Sequence, residues 1–195
     1  MSGDWAAAGS YLLEMEETME GLLNNEISAS GGLIGLREPV DTNKFRQVMR
    51  KLAGSVTVIT TENGGQLYGF TATAVCSVCA EPPTLLIVVN RSARTHPHIW
   101  RKGAFAVNVL ADNQKDVAEH FASKGDCQFS AVAYSRMESG VPVIQGAAAY
   151  IECEVEQTYD VGTHTIFIGR IVETGAEEDT PLIYYDARYA RASSL

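Results

Sequence analysis

The chain has 195 residues, enough for one domain with an ordinary core and an appendage, and 46% of them are hydrophobic, as in a soluble globular protein. A formal net charge of -9 argues against nucleic acid as the main partner but leaves room for an anionic ligand at a local arginine cluster. No apolar run reaches the roughly 18 residues of a membrane span, and the N-terminus lacks the basic and apolar regions of a signal peptide, so a cytoplasmic protein is expected.

Residues 1–27 read as an added helix, because Ala8, Leu12, Met15, Met19 and Leu22 fall on one stripe while Glu14, Glu16, Glu17 and Glu20 lie mostly off it. Residues 1–38 hold seven acidic side chains and one basic one, so most of the chain's net negative charge belongs to this appendage. Its stripe can pack on the body or on a second copy, or it can dock another protein. Ser28–Gly32 reads as a linker and Leu33–Val40 as irregular chain. The expected division is an extension over 1–40 and a domain over 41–195.

The body opens with a short helix capped by Asp41 or Thr42, with Phe45, Val48, Met49 and Leu52 on its apolar side and Gly54 at its end. Val56–Thr61 is β-branched throughout and predicts a strand. Glu62-Asn63-Gly64-Gly65 predicts a hairpin turn, since Asn-Gly reaches positive φ at little cost. The second arm, Gln66–Ala74, leads into a stretch of small and hydroxylated residues, then Pro82-Pro83, then the apolar run Leu85–Val89. A short helix follows, with Thr95 as N-cap, Pro97 in the first turn and Gly103 at the end. Phe105–Val109 alternates as a strand, and Asp112 or Asn113 caps a helix that runs to about Ser123. Residues 124–146 read as loop, with short strands around Val132 and Met137.

Ala149, Ile151, Cys153 and Val155 alternate with Tyr150 and the glutamates 152, 154 and 156, which predicts a half-exposed strand whose carboxylates face solvent. Thr165–Val172 is apolar on both faces, and Leu182–Tyr185 is the last strand before Asp186–Tyr189. Six or seven hairpin-connected strands with two or three short helices disfavour a doubly wound parallel sheet and fit a closed antiparallel barrel, in which closure removes exposed edges.

Cys76-x-x-Cys79 matches half of a zinc site or a redox pair, but Cys127 and Cys153 are isolated and the pair does not open a helix. Small buried hydrophobes are the expectation, with no metal site. His96-x-His98 lacks further ligands, and no Rossmann glycine fingerprint, P-loop or nucleophile elbow occurs. The stretch from Gly69 to His98 is the informative one. Small residues at Thr71-Ala72-Thr73-Ala74 and Ser77 admit a flat ligand to the backbone, and the tip Asn90-Arg91-Ser92-Ala93-Arg94-Thr95 offers hydroxyls, N–H groups and guanidinium to phosphate oxygens. This reads as a nucleotide-type cofactor cradle. His164 follows a turn and opens an apolar strand, where it is either a ligand-facing residue at the barrel mouth or a satisfied turn histidine.

From about Phe45 to Tyr189 the sequence resembles the short-chain flavin reductases that partner two-component flavin monooxygenases. The resemblance rests on ordered pieces: Phe45-Arg46-x-x-Met49 with Val56–Thr61, Gly69–Thr73 with Ser77-Val78 and Pro82-Pro83, Asn90-Arg91-Ser92 with Thr95-His96, Phe105–Leu110, His120-Phe121-Ala122 with Phe129, His164-Thr165-x-Phe167-Ile168-Gly169-Arg170, and Pro181-Leu182 with Tyr184 and Tyr189. It departs at Thr73-Ala74, where relatives often carry Asn-Ser, and at Cys76 and Cys79, where they carry Ser. The resemblance implies a mainly β fold, a split antiparallel Greek-key β-barrel of the FMN-binding type. It implies a homodimer with FMN or FAD at the interface, NADH or NADPH as co-substrate, and a separate oxygenase that receives reduced flavin. Carried over, Thr71, Ala72, Thr73, Ala74 and Ser77 would line the isoalloxazine and ribityl chain, and Asn90, Arg91, Ser92 and Thr95 would hold the phosphate end. Phe129, Tyr184, Arg188 and Tyr189 would complete the cofactor site, with His164 near the nicotinamide. On the same fold, an FMN oxidase of the pyridoxamine-phosphate type, a reductase of a corrinoid or ferric chelate, and a non-enzymatic flavin-binding partner protein are the alternatives.

Overall fold

The computed structural model describes residues 38–123 and 128–193, so the N-terminal helix expected over 1–27 and the linker after it lie outside the described residues. The chain divides into two compact units, 1–44 and 45–195. In the first, the Asp41 carboxylate accepts from the Asn43 and Lys44 N–H groups at 2.9 and 3.1 Å, the capping expected of it. The helix it opens, α1 (Thr42–Met49), ends before Gly54, which starts a strand instead.

Twelve strands follow among the described residues: β1 (Gly54–Ser55), β2 (Thr57–Asn63), β3 (Gln66–Ala72), β4 (Val75–Ala80), β5 (Pro83–Asn90), β6 (Ala104–Val109), β7 (Tyr134–Arg136), β8 (Pro142–Ile144), β9 (Ala149–Val161), β10 (His164–Ala176), β11 (Leu182–Tyr185) and β12 (Arg188–Arg191). Two helices interrupt them, α2 (His96–Lys102) and α3 (Lys115–Ala122). The main sheet has seven strands in the order β3-β2-β6-β9-β10-β5-β4, every ladder antiparallel. Its end strands β3 and β4 are joined through Thr73-Ala74, yet no ladder pairs them among the described residues. The barrel is therefore split at that connection. A smaller sheet, β1-β11-β12, lies beside the split, tied to β2 and β6 through Val56 N–H to the Leu182 carbonyl (2.8 Å) and Leu182 N–H to the Leu110 carbonyl (2.8 Å).

The predicted hairpin is β2–β3, with Asn63 paired to Gln66 and positive φ at Gly64 and Gly65. The two glycines form the turn, so Asn63 closes the ladder and does not itself need the left-handed region. One core packs Ile59, Ile87, Val89, Ile99, Phe105, Val107 and Phe167 inside the sheet, and a second packs Val58, Leu110, Phe121, Ile144 and Leu182 under α3. Polar groups in these cores are satisfied: Asn108 Nδ2 donates to the Val58 carbonyl at 2.9 Å, and its Oδ1 accepts from the Ile144 N–H at 2.8 Å.

Several expectations are corrected. Cys76 and Cys79 are exposed, not buried, because β4 is an end strand with a bulge between Ser77 and Cys79 and covers the core only through Val75. Glu152 is buried, unlike Glu154 and Glu156, and accepts a hydrogen bond from the Ser139 hydroxyl of the β7–β8 turn. Thr95 does not cap α2 with its side chain, and α3 starts at Lys115 with no side-chain cap from Gln114. By contrast, β10 has the core face expected of it, with Thr165, Phe167 and Gly169 buried and Ile166 and Ile168 half-buried on its other face.

Phe121 of α3 lies directly on Gly69 of β3. A Cβ placed on Gly69 would stand 2.6 Å from Cε1 and 2.9 Å from Cδ1 of that ring. Substituting Gly69→Ala is expected to cost about 1–3 kcal/mol by overpacking, a fall in Tm of roughly 3–10 °C. An unchanged melting temperature would show that α3 yields at no cost.

Candidate functional site

Three clefts run in series along one side of the split. The first, about 500 Å³, is lined by Gly69, Phe70, Asn90, Ser92, Ala93, Arg94 and Thr95, with Phe121, Ala122 and Ser123 at the end of α3. The second, about 250 Å³, shares Ala122 and adds Val56, Thr71, Ala72, Thr73, Tyr184 and Tyr189. The third, about 470 Å³, shares Thr73 and Tyr184 and continues through Ala74 and Gly54 to Phe45, Arg46, Met49 and Arg50 of the first helix and its end. The predicted residues Thr71, Ala72, Thr73, Ala74, Asn90, Ser92, Thr95, Tyr184 and Tyr189 thus line one connected path.

Ser77, Arg91, Phe129, Arg188 and His164 do not line these three clefts. Ser77 is exposed on β4, and Arg188 is exposed on β12 opposite Tyr185. Phe129 packs edge-on against Phe121 (5.1 Å) and Tyr134 (5.4 Å), behind the ring that floors the first cleft. His164 pairs with Asn90 across the β5–β10 ladder, so it stands at the rim of the first cleft. Cleft residues not singled out as site residues in the sequence include Phe70, Arg94, Ala122 and Ser123 of the first cleft and Arg46 and Arg50 of the third. Arg94 belongs to the polar tip, and the small pair Ala122-Ser123 follows His120-Phe121; these were the available signals.

The tip is built by local hydrogen bonds. Asn90 Oδ1 accepts from both the N–H and the hydroxyl of Ser92 at 2.8 Å, an Asx turn that folds the chain back after β5. The Arg91 N–H donates to the Thr163 carbonyl at 3.0 Å, and its guanidinium donates to the Gly162 carbonyl at 2.7 Å. A second guanidinium nitrogen stands 3.5 Å from Asp160 Oδ2. The Thr95 hydroxyl donates to the Gly69 carbonyl at 3.3 Å and the Thr71 hydroxyl to the Ala118 carbonyl of α3 at 2.6 Å. Tyr184 and Tyr189 meet edge to face at 5.5 Å, and burial pushes the Tyr189 phenol above its ordinary value, with Glu119 and Tyr184 adding to the rise. Cys153, in the core, is pushed up to about 12 by burial and by Glu152, which keeps it a thiol.

These residues fit a flavin. At the junction of the second and third clefts, Thr73 and Ala74 are exposed and their carbonyls accept from Val75 and Val88, whereas neither of their N–H groups donates a hydrogen bond among the described residues. Two free backbone donors beside small side chains suit the carbonyl edge of a flat heterocycle. The Asn90–Thr95 tip, with Arg91 and Arg94, supplies polar and cationic groups at the other end.

Residues 49–193 match the family model described as the flavin reductase like domain. The chain is 37% identical over 159 residues to the FMN reductase (NADH) RutF of Stutzerimonas stutzeri, covering 80% of this chain and 91% of that protein. It is 36% identical over 152 residues to the reductase component of the 4-nitrophenol 4-monooxygenase/4-nitrocatechol 2-monooxygenase of Rhodococcus opacus, covering 78% and 82%. Among solved structures, the NADH:FAD oxidoreductase SgcE6 of Streptomyces globisporus C-1027 in complex with NAD and FAD fragments aligns with a TM-score of 0.76 at 33% identity, over 82% of this chain and 97% of that one.

Two histidines beside the first cleft carry a pH signature. Burial holds His96 and His98 below their ordinary value of 6.5; Asp160 opposes this at His96 and Arg91 reinforces it, while Arg101 and Arg94 reinforce it at His98. With the folded value depressed, the unfolded chain binds more protons as the pH falls through about 6.5, so stability present above that value declines below it. The melting temperature is expected to drop between about pH 7 and pH 5.5, less steeply in a His96→Gln variant. A pH-independent transition across that window would contradict the burial argument.

Proposed function

The chain belongs to the flavin reductase like domain family, and from that membership we propose that it is an NADH-dependent flavin reductase whose reduced flavin serves a separate oxygenase. The observation that carries the reading is the series of clefts, joined through Ala122, Thr73 and Tyr184, that runs from the Asn90–Thr95 tip to the Thr73-Ala74 junction, with polar groups at both ends. The names of the relatives support NADH as donor and FMN or FAD as acceptor. The reductase component from Rhodococcus opacus supports an oxygenase partner.

Bound flavin would supply an acceptor for the hydride that the nicotinamide gives up. The protein's part is binding and orientation. Thr71, Ala72, Thr73 and Ala74 keep the wall thin, and the Thr73 and Ala74 N–H groups are donors for ring carbonyls, favouring the negative charge that builds up on reduction. Tyr184 and Tyr189 give the second cleft an aromatic wall. Asn90, Arg91, Ser92 and Thr95 form the phosphate end, and His164, held beside Asn90 by the ladder, orients the nicotinamide. Ser77 is assigned to the ring and ribityl end and Phe129 and Arg188 to the rest of the cofactor site, although none of the three lines these clefts. Exposed Val78, Val161 and Val172 on β4, β9 and β10 support a homodimer. No helix among the described residues is long and apolar enough to cross a membrane, and we place the enzyme in the cytoplasm.

Purified protein is expected to oxidise NADH only when FMN, FAD or riboflavin is added, read as loss of nicotinamide absorbance. Absence of oxidation with all three would sink the reading. Arg91→Ala is expected to raise the KM for FMN about three- to tenfold with little change in kcat, and His164→Ala to raise the KM for NADH by a similar factor. A normal NADH KM in the second variant would leave His164 a turn residue.

A further inference from the structure

Arg91 is not alone at the tip. Asp160 and Thr165 are cross-strand partners in the β9–β10 ladder, and the Thr165 hydroxyl donates to Asp160 Oδ1 at 2.6 Å. That hydroxyl has one proton, so it accepts from His96 Nε2–H, which lies 2.9 Å away. Thr165 is buried, with 1% of its surface exposed, and the His96 ring is braced edge-on by Phe167 at 5.4 Å. The carboxylate is thus held by a directed chain, His96 to Thr165 to Asp160, and its other oxygen faces the Arg91 guanidinium. An exposed aspartate near the end of a strand would ordinarily wander; this one is kept on the arginine.

We propose that Asp160 sets the strength of the phosphate grip: it is a fixed carboxylate that competes with the flavin phosphate for Arg91, weakening the hold so that reduced flavin can leave for its acceptor. The inference rests on the reading of Asn90–Thr95 as the phosphate end. Asp160 is a positioning residue, acting through Arg91, and the His96–Thr165 pair keeps it in place. The step involves no bond making. When phosphate arrives, the guanidinium exchanges a half-exposed carboxylate partner for a phosphate one. Binding gains the difference between two ion pairs instead of the whole of one.

The test is equilibrium titration of oxidised FMN and of riboflavin onto the full chain, for wild type, Asp160→Asn, Arg91→Ala and the double variant. Asparagine keeps an oxygen for the Thr165 hydroxyl and removes only the charge; Asp160→Ser serves the same purpose if the first variant folds poorly. Asp160→Asn is expected to tighten FMN about three- to fivefold, the scale of an exposed ion pair, and to leave riboflavin unchanged. In the Arg91→Ala background the gain is expected to vanish. An unchanged or weaker FMN affinity, an equal gain for riboflavin, or a gain that persists in full without Arg91 would each overturn the proposal. The phosphate-end reading is judged separately. It falls if wild type holds FMN no more tightly than riboflavin and Arg91→Ala alters neither, whatever Asp160→Asn does.

Discussion

The pairing of β10 with β5 is the constraint on which the site depends. Seven residue pairs run from His164 opposite Asn90 to Arg170 opposite Thr84. Side chains alternate across a strand, so a slip of one residue would exchange buried Thr165 and Phe167 for half-buried His164 and Ile166 and empty the core around Ile87 and Val89. The apolar run Leu85–Val89 therefore does more than fill the interior. By locking the register, it delivers the polar end of β5 and the turn between β9 and β10 to the same place. The bond from the Arg91 N–H to the Thr163 carbonyl then extends the ladder past its last pair, and the Arg91 guanidinium donates to the Gly162 carbonyl beside it. The polar rim is thus placed by apolar packing some distance away.

The other wall of the first cleft is placed by an aromatic ring on a glycine. Phe121 can approach β3 closely only because residue 69 has no Cβ, and that approach brings the end of α3, Ala122 and Ser123, beside the Asn90–Thr95 tip. The Thr71 hydroxyl holding the Ala118 carbonyl fixes the same helix one turn earlier. Phe129 and Tyr134 back the ring from outside. The cleft is consequently a product of tertiary packing among β3, α3 and the tip, three segments far apart in the chain.

Much of this was legible in the residues because its causes are local. β-branched Val56–Thr61, the Gly64-Gly65 turn, the alternation in Phe105–Val109 and the Asp41 cap each act over a few residues. Where the causes are long-range, the reading failed. Cys76 and Cys79 look like core residues by type, but β4 lies at the end of the sheet order, which no local pattern reveals. Glu152 shares its alternation with two solvated glutamates, yet the β7–β8 turn covers it and brings Ser139 to its carboxylate. β11 is legible at Leu182–Tyr185, but β12, which follows it, and β8 are short and gain their strand character only from pairing with β11 and β7. At the site, the tip could be read as polar and cationic, but the carboxylate facing Arg91 sits 69 residues away and meets it only through the ladder.

The threonines of the cradle show how the fold and the ligand divide the available chemistry. Thr57 donates to the Ala72 carbonyl, Thr71 to the Ala118 carbonyl and Thr95 to the Gly69 carbonyl. Each hydroxyl has a single proton, so none of the three has one left to donate to a bound nucleotide. Their work is to satisfy carbonyls of β3 and α3 and so to hold the cleft walls still. On the proposed reading, recognition of a flat ring would fall to what remains: exposed Thr73 and Ala74 with their N–H groups, the methyl surfaces of Thr71 and Ala72, and the rings of Tyr184 and Tyr189. Such a wall is selective for shape and for an edge of carbonyls, and carries little charge. Cationic groups stand at the tip, where Arg91 is already matched to a carboxylate, and at the far end of the third cleft, where Arg46 and Arg50 lie. On the proposed reading, a chain with an overall negative charge would hold an anionic nucleotide through an arginine already matched to a carboxylate, an arrangement that suits a protein whose flavin is passed on.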